Sequence, residues 1–107
     1  MTNPNFMNGV PELLVLRLLQ RQEMYGYELV QAIRVSTREA IKLTEGVVYP
    51  TLHALERQGV LKSRHKTVSG RTRVYYSVTA KGTKHLAGLS DQWNRIAMAI
   101  ERVMKLA

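Results

Sequence analysis

The sequence feature that most constrains the fold is the segment 44–63, TEGVVYPTLHALERQGVLKS, which predicts a short helix followed directly by a basic strand. Thr44 and Glu45 suit a helix start, because a hydroxyl can accept an unpaired backbone N–H and a carboxylate is stabilised at the positive helix end. Gly59 can adopt the left-handed conformation that ends a helix, and the strand begins immediately after it. The chain therefore has to place a short helix beside the strand that follows it.

The predicted helix has two different faces. Val48, Leu52 and Leu55 recur at i, i+4 and i+7 and form an apolar face. The opposite face carries Val47 together with aromatic and polar groups, namely Tyr49, His53 and Arg57. A short helix of this kind has the size and chemistry to enter the major groove of DNA. Pro50 falls in its second turn, where we expect a bend.

A basic hairpin is predicted after this helix. The runs 60–68 and 72–79 are rich in Val, Thr and Tyr, and Ser69-Gly70-Arg71 separates them. Alternation places Tyr76 in the core and leaves Tyr75 exposed or at a boundary. Five cations lie within the hairpin: Lys62, Arg64, Lys66, Arg71 and Arg73. We predict that they contact DNA phosphates or the minor groove, the alternative for the two arginines being an ordinary solvated turn.

Positive charge is concentrated in one part of the chain. The net charge of +8 comes from 16 Lys and Arg against 8 Asp and Glu in 107 residues. Residues 57–90 contain eight of these cations and no acid, whereas residues 1–56 contain five cations and six acids. A local excess of this kind favours a polyanionic partner.

Two helices are predicted before the central one. The first runs from Val10 to Gln22, with Pro11 in its first turn, where a missing N–H is tolerated. The second follows Met24-Tyr25-Gly26-Tyr27 and continues to about Arg38. Residues 41–43 could add a short strand, and residues 1–7 are expected to be frayed.

Tyr25 and Tyr27 have two interpretations. They could pack into the core at the start of the second helix. Alternatively, one phenol could reach a DNA phosphate beside the N–H groups of that helix end.

The last helix begins after Thr79 and carries an apolar seam. Its members are spaced alternately by three and four residues: Leu86, Leu89, Trp93, Ile96, Ile100, Val103 and Ala107. This heptad spacing is typical of helix pairing. A helix of ~40 Å is too long to be covered by the rest of so small a chain. We therefore expect it to pair with the same helix of a second copy.

The predicted order of elements is that of a winged helix-turn-helix protein. The fold class is mainly α (α+β), with a DNA-binding domain at 1–79 and a C-terminal dimerisation helix at 80–107. Pairing of two such chains would hold two reading helices against one duplex.

Several function classes are disfavoured. The chain has no cysteine, so it has neither disulfides nor a thiol nucleophile, which fits a reducing compartment. His53, His65 and His85 lack metal-ligand spacing, and no acid pair or glycine-rich phosphate loop is recognisable. His85 is expected to be solvated. No membrane segment or secretion signal is recognised, so we expect a cytoplasmic protein. Because no catalytic or metal-binding arrangement is recognised, we also expect that it is not an enzyme and needs no metal or cofactor.

Three motifs resemble one bacterial family. MYGYEL at 24–29, VVYPTLHALERQGVL at 47–61 and GRTRVYYSVTAKG at 70–82 closely resemble the PadR family of transcriptional regulators. The resemblance covers about residues 9–95. The single terminal helix resembles the short branch of the family. It implies a homodimer that binds a palindromic operator and usually represses a nearby gene. The family DNA contacts would map onto Tyr25 or Tyr27, Thr44, Tyr49, His53, Arg71 and Arg73.

The helix predicted in the segment 44–63 would be the recognition helix, and it differs from a typical DNA-reading helix in one respect. Gly46 and Val47 near its start offer little hydrogen bonding, so base readout would rest on few side chains and on DNA shape.

The resemblance also implies a possible effector. In some short PadR members a pore lies between the subunits, and the matching tryptophan stacks on planar aromatic drugs. Here that pocket would be lined by Val10, Leu14, Trp93 and Ala97. The alternative is that Trp93 only packs in the dimer interface.

A second class of function stays open at this point. A winged helix can coat DNA without sequence preference, as an architectural protein, or bind RNA or protein. An architectural protein would bind any duplex with similar, salt-sensitive affinity.

Overall fold

The computed structural model describes residues 9–107. In this range the elements are α1 Val10–Arg21, β1 Met24–Tyr25, α2 Gly26–Ser36, α3 Glu45–Arg57, β2 Leu61–Val68, β3 Arg71–Val78 and α4 Ala80–Met104. The strands form one antiparallel sheet in the order β1-β3-β2. This confirms the predicted mixed α and β winged helix-turn-helix. The expectation that residues 1–7 are frayed lies outside the described residues.

The helix starts match the sequence prediction with one correction. Pro11 lies in the first turn of α1, as expected. Thr44 is the N-cap residue of α3, but its hydroxyl accepts no N–H from that helix; instead its backbone carbonyl accepts from Val47 and Val48. α3 runs through Pro50 without interruption to Arg57.

The third strand lies elsewhere than predicted. β1 pairs with β3, with Met24 opposite Tyr76 and Tyr25 opposite Tyr75. Residues 41–43 form no strand; the Thr37 hydroxyl accepts from the N–H of Ile41 and donates to its carbonyl, which ties this segment to the end of α2. α2 ends at Ser36, before the predicted boundary, since Arg38 and Glu39 have positive φ.

β2 and β3 form the predicted hairpin, which is the wing of the fold. Ser69 and Gly70 make its two-residue turn with φ of 54° and 77°, which matches the twist of the flanking strands. Arg71 is already part of β3, opposite Val68. Tyr76 is buried as expected. Tyr75 is also buried, at 8% exposure, because Tyr25 packs edge-on against its ring and the Lys66 ammonium lies over it.

α4 belongs partly to the core of its own chain. The Thr79 hydroxyl accepts from the N–H of Gly82 and donates to the carbonyl of Gly59, which fixes the start of α4 against the end of α3. A Cβ on Gly82 would collide with the carbonyl oxygen of Val60, so this close approach needs a glycine.

The predicted dimer seam divides along α4. Leu86 is 3% exposed within the single chain and packs in its core, so little of its surface is left for contact with a second copy. Leu89 packs partly against the same core. Beyond it, four seam residues are 45–65% exposed: Trp93, Ile96, Ile100 and Val103. Ala107 lies past the end of α4.

His85 is not simply solvated. Its Nε2 contacts a carboxylate oxygen of Glu12 and ties α4 to α1. None of the helices formed by residues 9–107 is long and apolar enough to cross a bilayer.

Candidate nucleic-acid interface

The outer face of the sheet gathers the predicted basic residues. Directly paired residues share a face, and the register puts Lys66 opposite Arg73 and Arg64 opposite Tyr75, which in turn faces Tyr25. The residues of this outer face are Tyr25, Lys62, Arg64, Lys66, Val68, Arg71, Arg73, Tyr75 and Ser77. The core lies on the opposite face, where Tyr76 is buried.

An aromatic and cationic cluster joins the sheet to the helices. The guanidinium of Arg73 lies 4.4 Å from the ring centroid of Tyr25, which is a cation–π contact. Tyr27 and Tyr49 line a shallow cleft together with these two side chains. Tyr27 is 51% exposed, so the core interpretation of this tyrosine is wrong, while Tyr25 is half-buried.

The exposed face of α3 adjoins this cluster. The Tyr49 ring packs against Gly26 at the start of α2, where an added Cβ would lie 2.5 Å from the ring. His53 follows one turn later, with its ring 6.4 Å from that of Tyr49. Thr44 is exposed at the N-terminal end of the same helix. The structure thus brings α3, the start of α2 and the wing to one continuous surface.

Tyr76, on the core face of the sheet, has a raised pKa. The pKa of Tyr76 is raised by burial and, to a smaller extent, by the nearby Glu56 carboxylate and Tyr49. Its phenol therefore stays neutral at physiological pH.

Two of the predicted cations have an acidic partner. Arg64 Nε donates to Glu23 Oε2 at 2.9 Å, a second Arg64 nitrogen donates to Oε1, and Lys66 Nζ lies 3.4 Å from Oε1. The hydrogen bond from Arg64 lowers the pKa of Glu23 to about 2, with smaller help from Lys66, and Glu23 in turn raises the pKa of Arg64. Glu23 is therefore ionised at neutral pH.

Sequence reasoning missed Glu23 because it lies 41 residues from Arg64. The other predicted wing cations differ from this pair. In the part of the chain that the structure describes, Lys62, Arg71 and Arg73 make no ion pair within 4.0 Å.

The residues named for an effector pocket are only partly brought together. Val10 and Trp93 line one shallow groove, and Leu14 and Trp93 line another. Ala97 is half-buried and lines neither of these two grooves.

The chain is similar to known transcriptional regulators. The model of the transcriptional regulator PadR-like family matches residues 15–88. Transcriptional regulator Rv3488 of Mycobacterium tuberculosis is 34% identical over 77 residues, which are 72% of this chain and 69% of that protein.

Solved structures show the same fold over nearly the whole chain. A transcriptional regulator from Clostridium thermocellum has a TM-score of 0.88 at 27% identity and covers 98% of this chain and 100% of its own. A PadR-like transcriptional regulator from Bacillus cereus has a TM-score of 0.84 at 25% identity and covers 96% and 99%.

Proposed function

The chain belongs to the PadR-like family of transcriptional regulators, and from this premise we propose that it represses transcription by binding a palindromic operator as a homodimer. Members of this family are regulators and not enzymes. A cytoplasmic location, where the operator would lie, is part of the same proposal.

The observation that carries this proposal is the continuous surface formed by α3 and the outer sheet face. Tyr49 on α3 and Arg73 on β3 line the same cleft, so a duplex that receives α3 in its major groove would meet the wing beside it. Thr44, Tyr49 and His53 would then read base edges. The wing cations would contact phosphates, and Tyr25 or Tyr27 would contact a phosphate near the start of α2.

The proposed dimer rests on the far half of α4. Residues 1–79 would form the DNA-binding domain, and residues 80–107 would add the pairing helix, whose first turns also complete the domain core. Trp93, Ile96 and Ile100 keep the seam spacing and remain exposed in the single chain. Two-fold pairing through them would place two copies of α3 against half-sites separated by ~10 bp.

Selection of bound sequences from a random DNA pool tests this proposal. A regulator enriches one inverted repeat, whereas an architectural protein enriches no motif and binds every duplex with similar affinity. Tyr49→Ala should flatten the motif while binding to unselected DNA persists. Val35→Ala is the matched control, because Val35 is an exposed residue of α2 outside the proposed surface.

We also propose that a small aromatic effector binds beside Trp93 and releases the operator. Trp93 is the only tryptophan of the chain, so its fluorescence reports directly on binding at the two grooves beside it. Planar aromatic drugs should quench this fluorescence and release the operator. Absence of quenching at high ligand concentration would leave Trp93 with a packing role alone.

A further inference from the structure

The wing contains two kinds of cation. Lys62, Arg71 and Arg73 make no ion pair within 4.0 Å among the described residues, whereas Arg64 and Lys66 share the carboxylate of Glu23. All five side chains belong to the same outer face of the sheet. Two of the five cations are thus paired with one carboxylate within the chain before any partner arrives.

Glu23 reaches these cations across the sheet. It directly precedes β1, while Arg64 and Lys66 lie on β2, and β3 separates the two strands. Lys66 Nζ lies 4.9 Å from the ring centroid of Tyr75, so the three charged groups meet over the central strand. This contact is local to the outer face and covers Tyr75.

The geometry of this contact is the geometry of phosphate recognition. Arg64 makes two parallel bonds to the two oxygens of Glu23, and Lys66 adds a third bond to one of them. A phosphate group presents the same anionic oxygens to an arginine fork and a lysine. The carboxylate therefore occupies the donors that a DNA backbone would need.

We propose that Glu23 is an intramolecular competitor of DNA phosphate, which holds Arg64 and Lys66 in the free protein and is displaced from them by a duplex. The inference rests on the proposed function, because it requires the outer sheet face to meet DNA. Its consequence is a weaker and less salt-dependent attraction to DNA than the charge of the wing alone would give.

Displacement is physically accessible. The side chains of Arg64 and Lys66 remain 63% and 43% exposed although they are paired. Exposed ion pairs contribute little to folding, so the pair can open without loss of the fold. Arg64 also keeps donors that Glu23 does not use, so a phosphate can begin to bind before the carboxylate leaves.

The test compares Glu23→Gln with wild type on an unrelated duplex at several salt concentrations. Salt weakens the ion pairs of Glu23 in the wild type as well as the contacts with phosphate, so removal of these ion pairs should make the slope of log affinity against log salt steeper for the variant. The variant should bind more tightly than wild type at about 50 mM salt, and this difference in affinity should shrink between about 50 and about 200 mM as salt weakens the internal ion pairs of the wild type. Glu23→Ala should behave in the same way, and thermal denaturation checks that both variants are folded.

Glu39→Gln is the matched control. Glu39 also bridges one arginine and one lysine, Arg34 and Lys42, but these partners lie on α2 and in the segment after it. The two substitutions change the net charge equally, so a slope that steepens only for Glu23→Gln is a local effect. In an Arg64→Ala, Lys66→Ala background, Glu23→Gln should leave the slope unchanged.

Two results would overturn the inference while leaving the proposed function intact. A slope equal to that of Glu39→Gln would show that the two cations do not meet phosphate. Weaker binding by Glu23→Gln would show that the carboxylate holds them in place for DNA. A wild-type protein that binds no duplex at any salt concentration would instead overturn the proposed function itself.

Discussion

Gly26 and Tyr49 are in direct contact: a Cβ added to Gly26 would lie 2.5 Å from the Tyr49 ring. The contact joins the start of α2 to the exposed face of α3. The absence of a side chain at Gly26 therefore sets where the Tyr49 ring stands on the proposed reading surface.

Gly26→Ala should weaken operator binding with little effect on folding. The new methyl must push the Tyr49 ring away, and this ring is partly exposed, so it can move towards solvent without disturbing the core. A lost base-edge contact costs ~1–3 kcal/mol, so affinity for the operator should fall about tenfold or more. Affinity for unrelated duplexes should change little. Equal operator affinity in titrations of Gly26→Ala and wild type would remove Tyr49 from the readout.

Two glycines of α4 should respond to alanine with opposite signs. Gly82→Ala places a methyl against the Val60 carbonyl and should lower the free energy of unfolding by ~1–3 kcal/mol. Gly88 has no neighbour within 4 Å of an added Cβ, so Gly88→Ala should raise it by roughly 0.5–1 kcal/mol. Urea denaturation measures both. Stabilisation by Gly82→Ala would mean that α4 does not approach Val60 so closely.

Two seam positions of α4 should separate folding from pairing. Leu86→Ala removes a buried side chain and should lower the free energy of unfolding by ~2–5 kcal/mol without changing the subunit count. Ile96→Asp alters a side chain that is 56% exposed, so it should yield folded monomers that no longer bind the operator. Sedimentation and thermal denaturation of both variants check this. Dimers that persist in an Ile96→Asp, Ile100→Asp double variant would place the interface elsewhere.

The two wing arginines should act on all duplexes alike. Arg71→Ala should weaken matched and unmatched DNA about equally and lower the salt slope by ~1, because a phosphate contact carries no sequence information. Arg73→Ala should do the same and also free Tyr25, on which its guanidinium rests. Arg95→Ala, in an exposed position of α4, provides the charge-matched control. An unchanged slope in Arg71→Ala would exclude that side chain from the interface.

Local patterns in the sequence were sufficient for the recognition helix and the wing. Val48, Leu52 and Leu55 are buried at the spacing that predicted them, and Ser69-Gly70 forms the turn. These features depend on residues close together in the chain, so periodicity and turn chemistry reveal them.

Contacts between distant segments could not be predicted in the same way. β1 has two residues and therefore no periodicity, and its partner strand lies about fifty residues later. Glu23 meets Arg64 only because β1 and β2 flank the same central strand. The heptad spacing likewise cannot distinguish Leu86, which packs in its own chain, from Trp93, which remains exposed.

The most direct test of the proposed regulator is the mass of its complex with a duplex that carries the selected inverted repeat, measured by sedimentation equilibrium. Two chains on each duplex, with a free protein of twice the chain mass, is the predicted result. One chain on each duplex, with a folded free protein of a single chain mass, would contradict it.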